Sequence, residues 1–180
     1  MEAYNVTSIK IPLDRVGVVI GKNGETKKMI EDRMNVKLEI DSNDGMIKIF
    51  YKEGDLNFLK ARDFIYAIGR GFSPTRAIRI LDDDMVMYDT INLSHLSKKN
   101  IMRIKGRIIG KNGSMRSYIE NVTGAMISVY GSTILIIGYP QEINTAKKAI
   151  SMLIEGMPHG VVYKFLDNEK IRLRKINIEQ

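Results

Sequence analysis

Ile20-Gly21-Lys22-Asn23-Gly24 is met again 89 residues downstream as Ile109-Gly110-Lys111-Asn112-Gly113. The likeness runs outward from these strings. Gly17 matches Gly106, Ile30-Glu31 matches Ile119-Glu120, and after a small shift Ala61, Arg62 and Ile65 match Ala146, Lys147 and Ile150. Self-similarity at a fixed spacing marks one folding unit used twice.

In the first copy Ser8 to Pro12 alternates as a strand, Asp14 to Ile20 has the apolar spacing of a short helix, and the glycine-flanked string opens a second helix to about Met34. Lys37 to Asp41 alternates with period two, Asn43-Asp44-Gly45 carries hairpin-turn chemistry, and Met46 to Tyr51 returns. Asp55 is placed to cap a closing helix with Phe58, Ala61, Ile65 and Ile68 on its inner side. The second copy keeps this order, beginning with a strand near Met85 to Asn92 and a helix from about Ser94 with His95 in its first turn. After the loop, Met115, Tyr118, Ile119 and Val122 share a helix face, and Ala125 to Tyr130 pairs with Thr133 to Ile137 across Gly131-Ser132. A helix after Pro140 carries Ile143, Ala146, Ile150, Leu153 and Met157 inward. Both copies read β-α-α-β-β-α. Between them Gly69 to Pro74 breaks the first closing helix, and Thr75 to Leu81 forms one or two helical turns. Phe72, Ile78 and Leu81 in this link suit packing against a domain better than a free tether.

The composition excludes much chemistry. Among 180 residues there is no cysteine and there are two histidines, so there is no disulfide, no thiolate nucleophile and no Cys-based zinc site. No apolar run approaches a membrane span, and Met1-Glu2-Ala3-Tyr4-Asn5 lacks the form of a signal peptide; a cytoplasmic protein is expected. Twenty-eight Lys and Arg against 21 Asp and Glu leave a net charge of +7, which favours a polyanionic partner.

The repeated loop has the chemistry for such a partner. Gly21 and Gly24, like Gly110 and Gly113, let the backbone turn tightly and approach a bulky anion. The helix that follows begins at Glu25 or Ser114 and points its free amides and positive dipole end the same way. Lys22 and Lys111 add mobile charge, and Asn23 and Asn112 tolerate left-handed backbone and can hydrogen-bond phosphate or sugar.

The order β-α-α-β-β-α with Ile-Gly-Lys-Asn-Gly joining the first two helices resembles the type I KH domain, in two copies that cover nearly the whole chain. The resemblance implies an α+β fold: two type I KH domains, each with a three-stranded sheet packed on helices, with a C-terminal helix. Residues 1–81 would form the first domain with a short helical linker, and 82–180 the second with a helical extension from Val161 to Arg174. KH domains clamp about four unpaired nucleotides between glycine loop and groove. The resemblance therefore implies one groove lined by Val16, Val19, Ile20, Leu38 and Ile40 and another by Ile104, Ile108, Ile109, Ile127 and Val129. Neither groove shows the aromatic pairs of RRM or OB surfaces, so aliphatic packing against bases is expected.

Gly71-Phe72-Ser73-Pro74-Thr75-Arg76-Ala77, Gly106-Arg107-Ile108-Ile109-Gly110 and Gly156 to Tyr163 are similar to archaeal members of the partner-of-Nob ribosome-assembly family. That resemblance implies binding of single-stranded RNA near the 3′ end of small-subunit ribosomal RNA. It also implies a Nob-type nuclease and the alpha subunit of translation initiation factor two as partners. It implies no cofactor, metal, catalytic residue, membrane or small-molecule substrate.

Charge distinguishes the two copies. From Lys98 to Arg116 the chain carries Lys98, Lys99, Arg103, Lys105, Arg107, Lys111 and Arg116 with no acid between them, whereas Lys10 to Lys28 includes Asp14 and Glu25. The second module is therefore expected to attract RNA more strongly. In the C-terminal extension Val162, Phe165 and Leu166 share a side opposite several cations, which suits packing plus some RNA contact, and His159 reads as a loop or capping residue. Three other readings stay open: an enzyme, a protein scaffold that does not touch RNA, and an RNA-binding accessory factor of transcription or decay. Gly106 to Asn112 only imitates a Walker A loop, with three residues between glycines and Asn where Ser or Thr must hold magnesium. Asp82-Asp83-Asp84 reads as a solvated turn rather than a metal site.

Overall fold

The computed structural model describes residues 4–178, with the side chains at 173, 174 and 176–178 outside the description. Its first unit runs β1 (Tyr4–Lys10), α1 (Leu13–Ile20), a 3-10 turn (Lys22–Gly24), α2 (Glu25–Met34), β2 (Lys37–Ile40), β3 (Met46–Lys52) and α3 (Asn57–Gly69). Two short helices, α4 (Pro74–Ala77) and α5 (Arg79–Asp82), follow and pack on α3. The second unit repeats the pattern: β4 (Met87–Asn92), α6 (Lys98–Ile109), a 3-10 turn (Lys111–Gly113), α7 (Ser114–Thr123), β5 (Met126–Tyr130), β6 (Thr133–Gly138) and α8 (Pro140–Ile154), then α9 (His159–Ile178). The chain divides between Asp84 and Met85. Asp82 and Asp84 stay with the first unit because Arg33 holds Asp82 at 2.6 Å and Lys60 pairs with Asp84.

Both sheets are antiparallel, ordered β1-β3-β2 and β4-β6-β5, so β2 and β5 are edge strands. One face of each sheet turns to the helices. Leu38, Ile47 and Ile49 are buried there with Val19, Ile30, Phe64 and Ile65 in the first unit. Ile127, Ile134 and Ile136 are buried with Ile108, Ile119 and Ile150 in the second. The period-two alternation of the strands and the apolar stripes of the helices meet in these cores.

The boundaries that differ have local causes. β1 begins at Tyr4 rather than Ser8, because both of its faces are partly exposed and the alternation carries little contrast. Asp55 accepts the Asn57 amide at 2.9 Å, one residue ahead of the cap at Leu56. α6 begins at Lys98 instead of near Ser94. Asn92 Oδ1 takes the Ser94 amide and Leu96 N–H returns to Leu93 O, making a separate turn that holds His95, and Ser97 then caps Asn100. Met157, expected inside the last helix of its module, lies past its end. Gly156 turns to φ +91° and Met157 N–H closes on Met152 O at 3.0 Å, the Schellman ending of a helix. Gly71 (φ +97°) and Phe72 N–H to Ala67 O end α3 the same way.

An arginine fastens each of these helix ends. Arg15 donates from Nε to Ile68 O (2.8 Å) and from Nη2 to Phe72 O (2.7 Å). Arg107 donates from Nε to Leu153 O (3.0 Å) and from Nη2 to Met157 O. The carbonyl pairs correspond between copies, yet the arginines do not; Arg15 sits early in α1 and Arg107 late in α6. A guanidinium is drawn to a helix C-terminus by its unsatisfied carbonyls and negative dipole end. Arg107, expected at the RNA surface, thus also has a place in the fold, where two of its donors hold the end of α8.

α9 packs through Val162 and Leu166, both wholly buried, while Tyr118 meets Tyr163 edge-on at 4.8 Å and donates its hydroxyl to Asp167. His159 is its first residue; the side chain of Arg174 lies outside the described residues.

Two predictions follow from these contacts. Replacing Arg107 by Met keeps the aliphatic stem and removes both bonds, and should cost about 1.5–3 kcal/mol in urea denaturation; a loss under about 0.5 kcal/mol would rule out the fastening role. The second concerns Asp89, whose carboxyl is held below the usual range by its hydrogen bond from Lys147, aided by the Thr90 amide against some desolvation. Its contribution is therefore complete above the unfolded carboxylate range and lost as pH falls through the lower folded value. Asp89→Asn should thus lose stability near neutral pH and converge on the parent in acid; parallel curves throughout would contradict the pairing.

Candidate nucleic-acid interface

The loop backbone is nearly identical in the two modules. Gly21 (φ 75°, ψ 173°) and Gly110 (φ 73°, ψ 176°) occupy a region that is essentially glycine's alone. A Cβ would also stand 2.7 Å from Thr26 N in the first module and 2.8 Å from Met115 N in the second, so the first glycine is required twice over. Asn23 and Asn112 follow at φ 53°, the left-handed conformation that asparagine tolerates. At Gly24 and Gly113 φ is again positive, but a Cβ would meet nothing within 4 Å. That side of the turn is open. Gly24 N–H donates to Gly21 O and Gly113 N–H to Gly110 O, each at 3.2 Å, and neither bond uses the amides of the Lys-Asn pair.

The helix that leaves each turn starts without a side-chain cap. Gly24 and Gly113 are the capping residues of α2 and α7, and neither helix has a side-chain cap bond. α4 and α6 are capped by Ser73 and Ser97, while α1, α3 and α5 also lack a side-chain cap bond; what sets α2 and α7 apart is the open glycine turn before them. The Glu25 and Ser114 amides close on Lys22 O and Lys111 O within the turn, so what each start offers an external acceptor is its positive dipole end and the amides of the exposed Lys22-Asn23 or Lys111-Asn112 pair. In α7 the Nε of Arg116 is buried with no hydrogen-bond partner among the described residues. A buried donor in this condition is costly until an acceptor reaches it. Arg103 is exposed and Lys105 half-buried on α6.

Fewer of the expected groove residues reach the surface than the resemblance implies. Val19 and Ile108 are fully inaccessible, and Val16, Leu38, Ile104 and Ile127 are buried at 4% or less. This corrects their expected place as contact residues: they face the shared core and shape the groove from beneath. Half-buried Ile20 and Ile40 in the first module, and Ile109 and Val129 in the second, are what remains at the surface.

The repeated glutamates, which the sequence marked only as matching positions, explain how the edge strands present themselves. Glu31 Oε1 accepts the amide of Leu38 at 2.8 Å, and Glu120 Oε1 accepts that of Ile127 at 2.7 Å. Those amides point away from the neighbouring strand, and by the two-residue period so do the N–H and C=O of Ile40 and Val129. Each groove thus has one main-chain donor and acceptor directed outward, the pattern of a base edge.

Comparison with known proteins bears on this geometry. Residues 87–171 match the eukaryotic type KH domain (KH-domain type I) of PNO1 second modules, and residues 6–66 match the KH domain. The chain is 43% identical over 180 residues to KH domain-containing protein MJ0443 of Methanocaldococcus jannaschii, covering 97% of this chain and 78% of that protein. It is 28% identical to RNA-binding protein pno1 of Dictyostelium discoideum, covering 96% of this chain and 74% of the relative. Among solved structures, Dim2p from Pyrococcus horikoshii OT3 is 46% identical with a TM-score of 0.82, covering 91% of this chain and 99% of that one. A chain of the a/eIF2alpha-aDim2p-rRNA complex from the same organism is 45% identical with a TM-score of 0.87, covering 94% and 96%. With two KH modules in this order and likeness along nearly the whole length, the chain belongs to the PNO1/Dim2 family.

Proposed function

We propose that this protein is a non-catalytic adaptor that holds unpaired RNA near the 3′ end of small-subunit ribosomal RNA during its maturation, with the second module as the stronger clamp. The observation that carries this reading is the uncapped start of α7 beside Lys111, Asn112 and Arg116, in a stretch of chain that contains no acid. A phosphate at the turn would take the Lys111 and Asn112 amides, with Lys111 and the half-buried Arg116 supplying charge. The first loop has the same shape, but Glu25 opens its helix and lowers its attraction for a phosphate. Bases would lie along Ile109 and Val129 and exchange hydrogen bonds with the outward-facing Val129 main chain.

The process is supported by relatives called pre-rRNA-processing protein pno1 in Schizosaccharomyces pombe and RNA-binding protein pno1 in Dictyostelium discoideum. The alpha subunit of translation initiation factor two is taken as a partner because the similar Pyrococcus chain belongs to a complex containing a/eIF2alpha and rRNA. The Nob-type nuclease follows from the family alone. The reading gives the acidic run no metal chemistry, since Asp82 and Asp84 are ion-paired with Arg33 and Lys60. No helix among the described residues is long and apolar enough to cross a membrane, and action in the cytoplasm is part of the proposal.

Replacing Lys111-Asn112 by Asp-Asp should weaken binding of an unpaired oligonucleotide by on the order of 30- to 100-fold while leaving the melting curve in place. Lys22-Asn23→Asp-Asp should cost less. In the parent protein, log affinity should fall against log salt with a slope of about −0.7 for each phosphate neutralised, and the second-loop variant should have a shallower slope. Unchanged affinity in fluorescence anisotropy after the second-loop replacement would refute the clamp.

A further inference from the structure

The two sheets differ on the faces turned away from their helices. In the second unit that face presents Leu135 and Ile137, both fully inaccessible, with Thr133 and Ser128 below a tenth exposed. In the first unit it is bare. Strand register places Val6, Phe50 and Lys37 in one row, Ser8, Lys48 and Glu39 in the next, and Tyr4 opposite Lys52, with Lys10 opposite Met46. Directly opposed residues share a sheet face, and Ile47 and Ile49 of β3 already face the core, so these rows look outward. Tyr4 and Val6 are more than half exposed, and Phe50 is half-buried on the central strand.

Phe50 forms the wall between two shallow hollows. One is bounded by Tyr4, Lys37, Glu39 and Phe50, the other by Val6, Ser8, Lys48 and Phe50. An aromatic ring on a central strand, a second on the adjoining edge strand, and four lysines against two acids, Glu39 and Asp41, form a surface of definite chemistry. Flat rings accept unpaired bases by stacking, and surrounding ammonium groups neutralise the phosphates between them. The KH grooves, lined by Ile20, Ile40, Ile109 and Val129, offer no such rings.

We propose that the outer face of the β1-β3-β2 sheet is a second single-stranded RNA surface, on which Phe50 and Tyr4 stack bases and Lys10, Lys37, Lys48 and Lys52 hold the backbone. Charge complementarity selects this occupant: an acidic partner protein would meet the lysines but leave the rings without planar ligands, and a basic one would be repelled. The proposal rests on the RNA-binding reading for its ligand, but its residues are separate from the loop.

The test uses the full chain with two 4-thiouridine-containing oligouridylates, one of ~4 nucleotides that fits a single clamp and one of ~15 that can occupy a further surface. Anisotropy is measured for the parent, for Tyr4→Ser/Phe50→Ser and for Lys37→Glu/Lys48→Glu, with circular dichroism to verify folding and crosslink mapping on the parent. Both variants should bind the longer RNA at least about ten-fold more weakly and the shorter one unchanged, with crosslinks at β1 or β3. If the longer RNA binds all proteins equally and crosslinks only near Lys111, the sheet proposal fails and the clamp stands; such a face would be left to a protein partner. Crosslinks on the sheet without any at the loops would support this surface and sink the clamp. If the parent binds neither RNA, both readings fall.

Discussion

A helix that begins on glycine has no side chain with which to satisfy its own first amides. That constraint governs this molecule. Gly21 and Gly110 are fixed by a backbone conformation closed to other residues and by the close approach of α2 and α7, and the turn they start ends on Gly24 and Gly113 with its outer side open. The geometry that lets two helices meet at so short a bend also leaves the second helix uncapped and its dipole end accessible. Local folding and anion affinity therefore have one cause, which is why the loop can be kept in both copies while surrounding side chains change.

Around this shared backbone the two modules have diverged in charge and in surface. Glu25 and Ser114 occupy the same place after the turn, and only the second leaves the dipole end unopposed. The helix-end fastening shows the same freedom: Arg15 and Arg107 reach corresponding carbonyls from positions a turn apart in the aligned helices. A guanidinium is favoured at both of these helix ends, and a different residue supplies it in each copy. The outer sheet faces went furthest, one apolar and buried, the other basic and aromatic and exposed. Duplication here preserved a scaffold and gave each copy different surfaces.

How much of this could be read in the sequence depended on whether a signal was local. The duplicated string, the hairpin at Asn43-Asp44-Gly45 and the helical stripes through Ile65 and Ile150 depend on spacing alone, and these elements lie where that spacing places them, while the starts of β1 and α6 and the end of α8 do not. Burial depth is not local. Val19 and Ile108 have the same residue character as Ile20 and Ile109, and only packing reveals that the former are sealed and the latter half-exposed. Arg107 sat in a run of cations whose sum suggested RNA, while its partner carbonyls at Leu153 and Met157 lie far along the chain. Glu31 and Glu120 were visible as repeated letters; that each takes an edge-strand amide needed coordinates.

The central claim is that main-chain amides at the second turn, rather than lysine charge alone, receive the RNA. An amide-resolved NMR titration of the intact protein with an unpaired oligonucleotide observes those groups directly. The account predicts the largest shifts at Lys111, Asn112 and Val129, with weaker counterparts at Lys22, Asn23 and Ile40. Saturable binding that leaves the second-turn amides unmoved would contradict it.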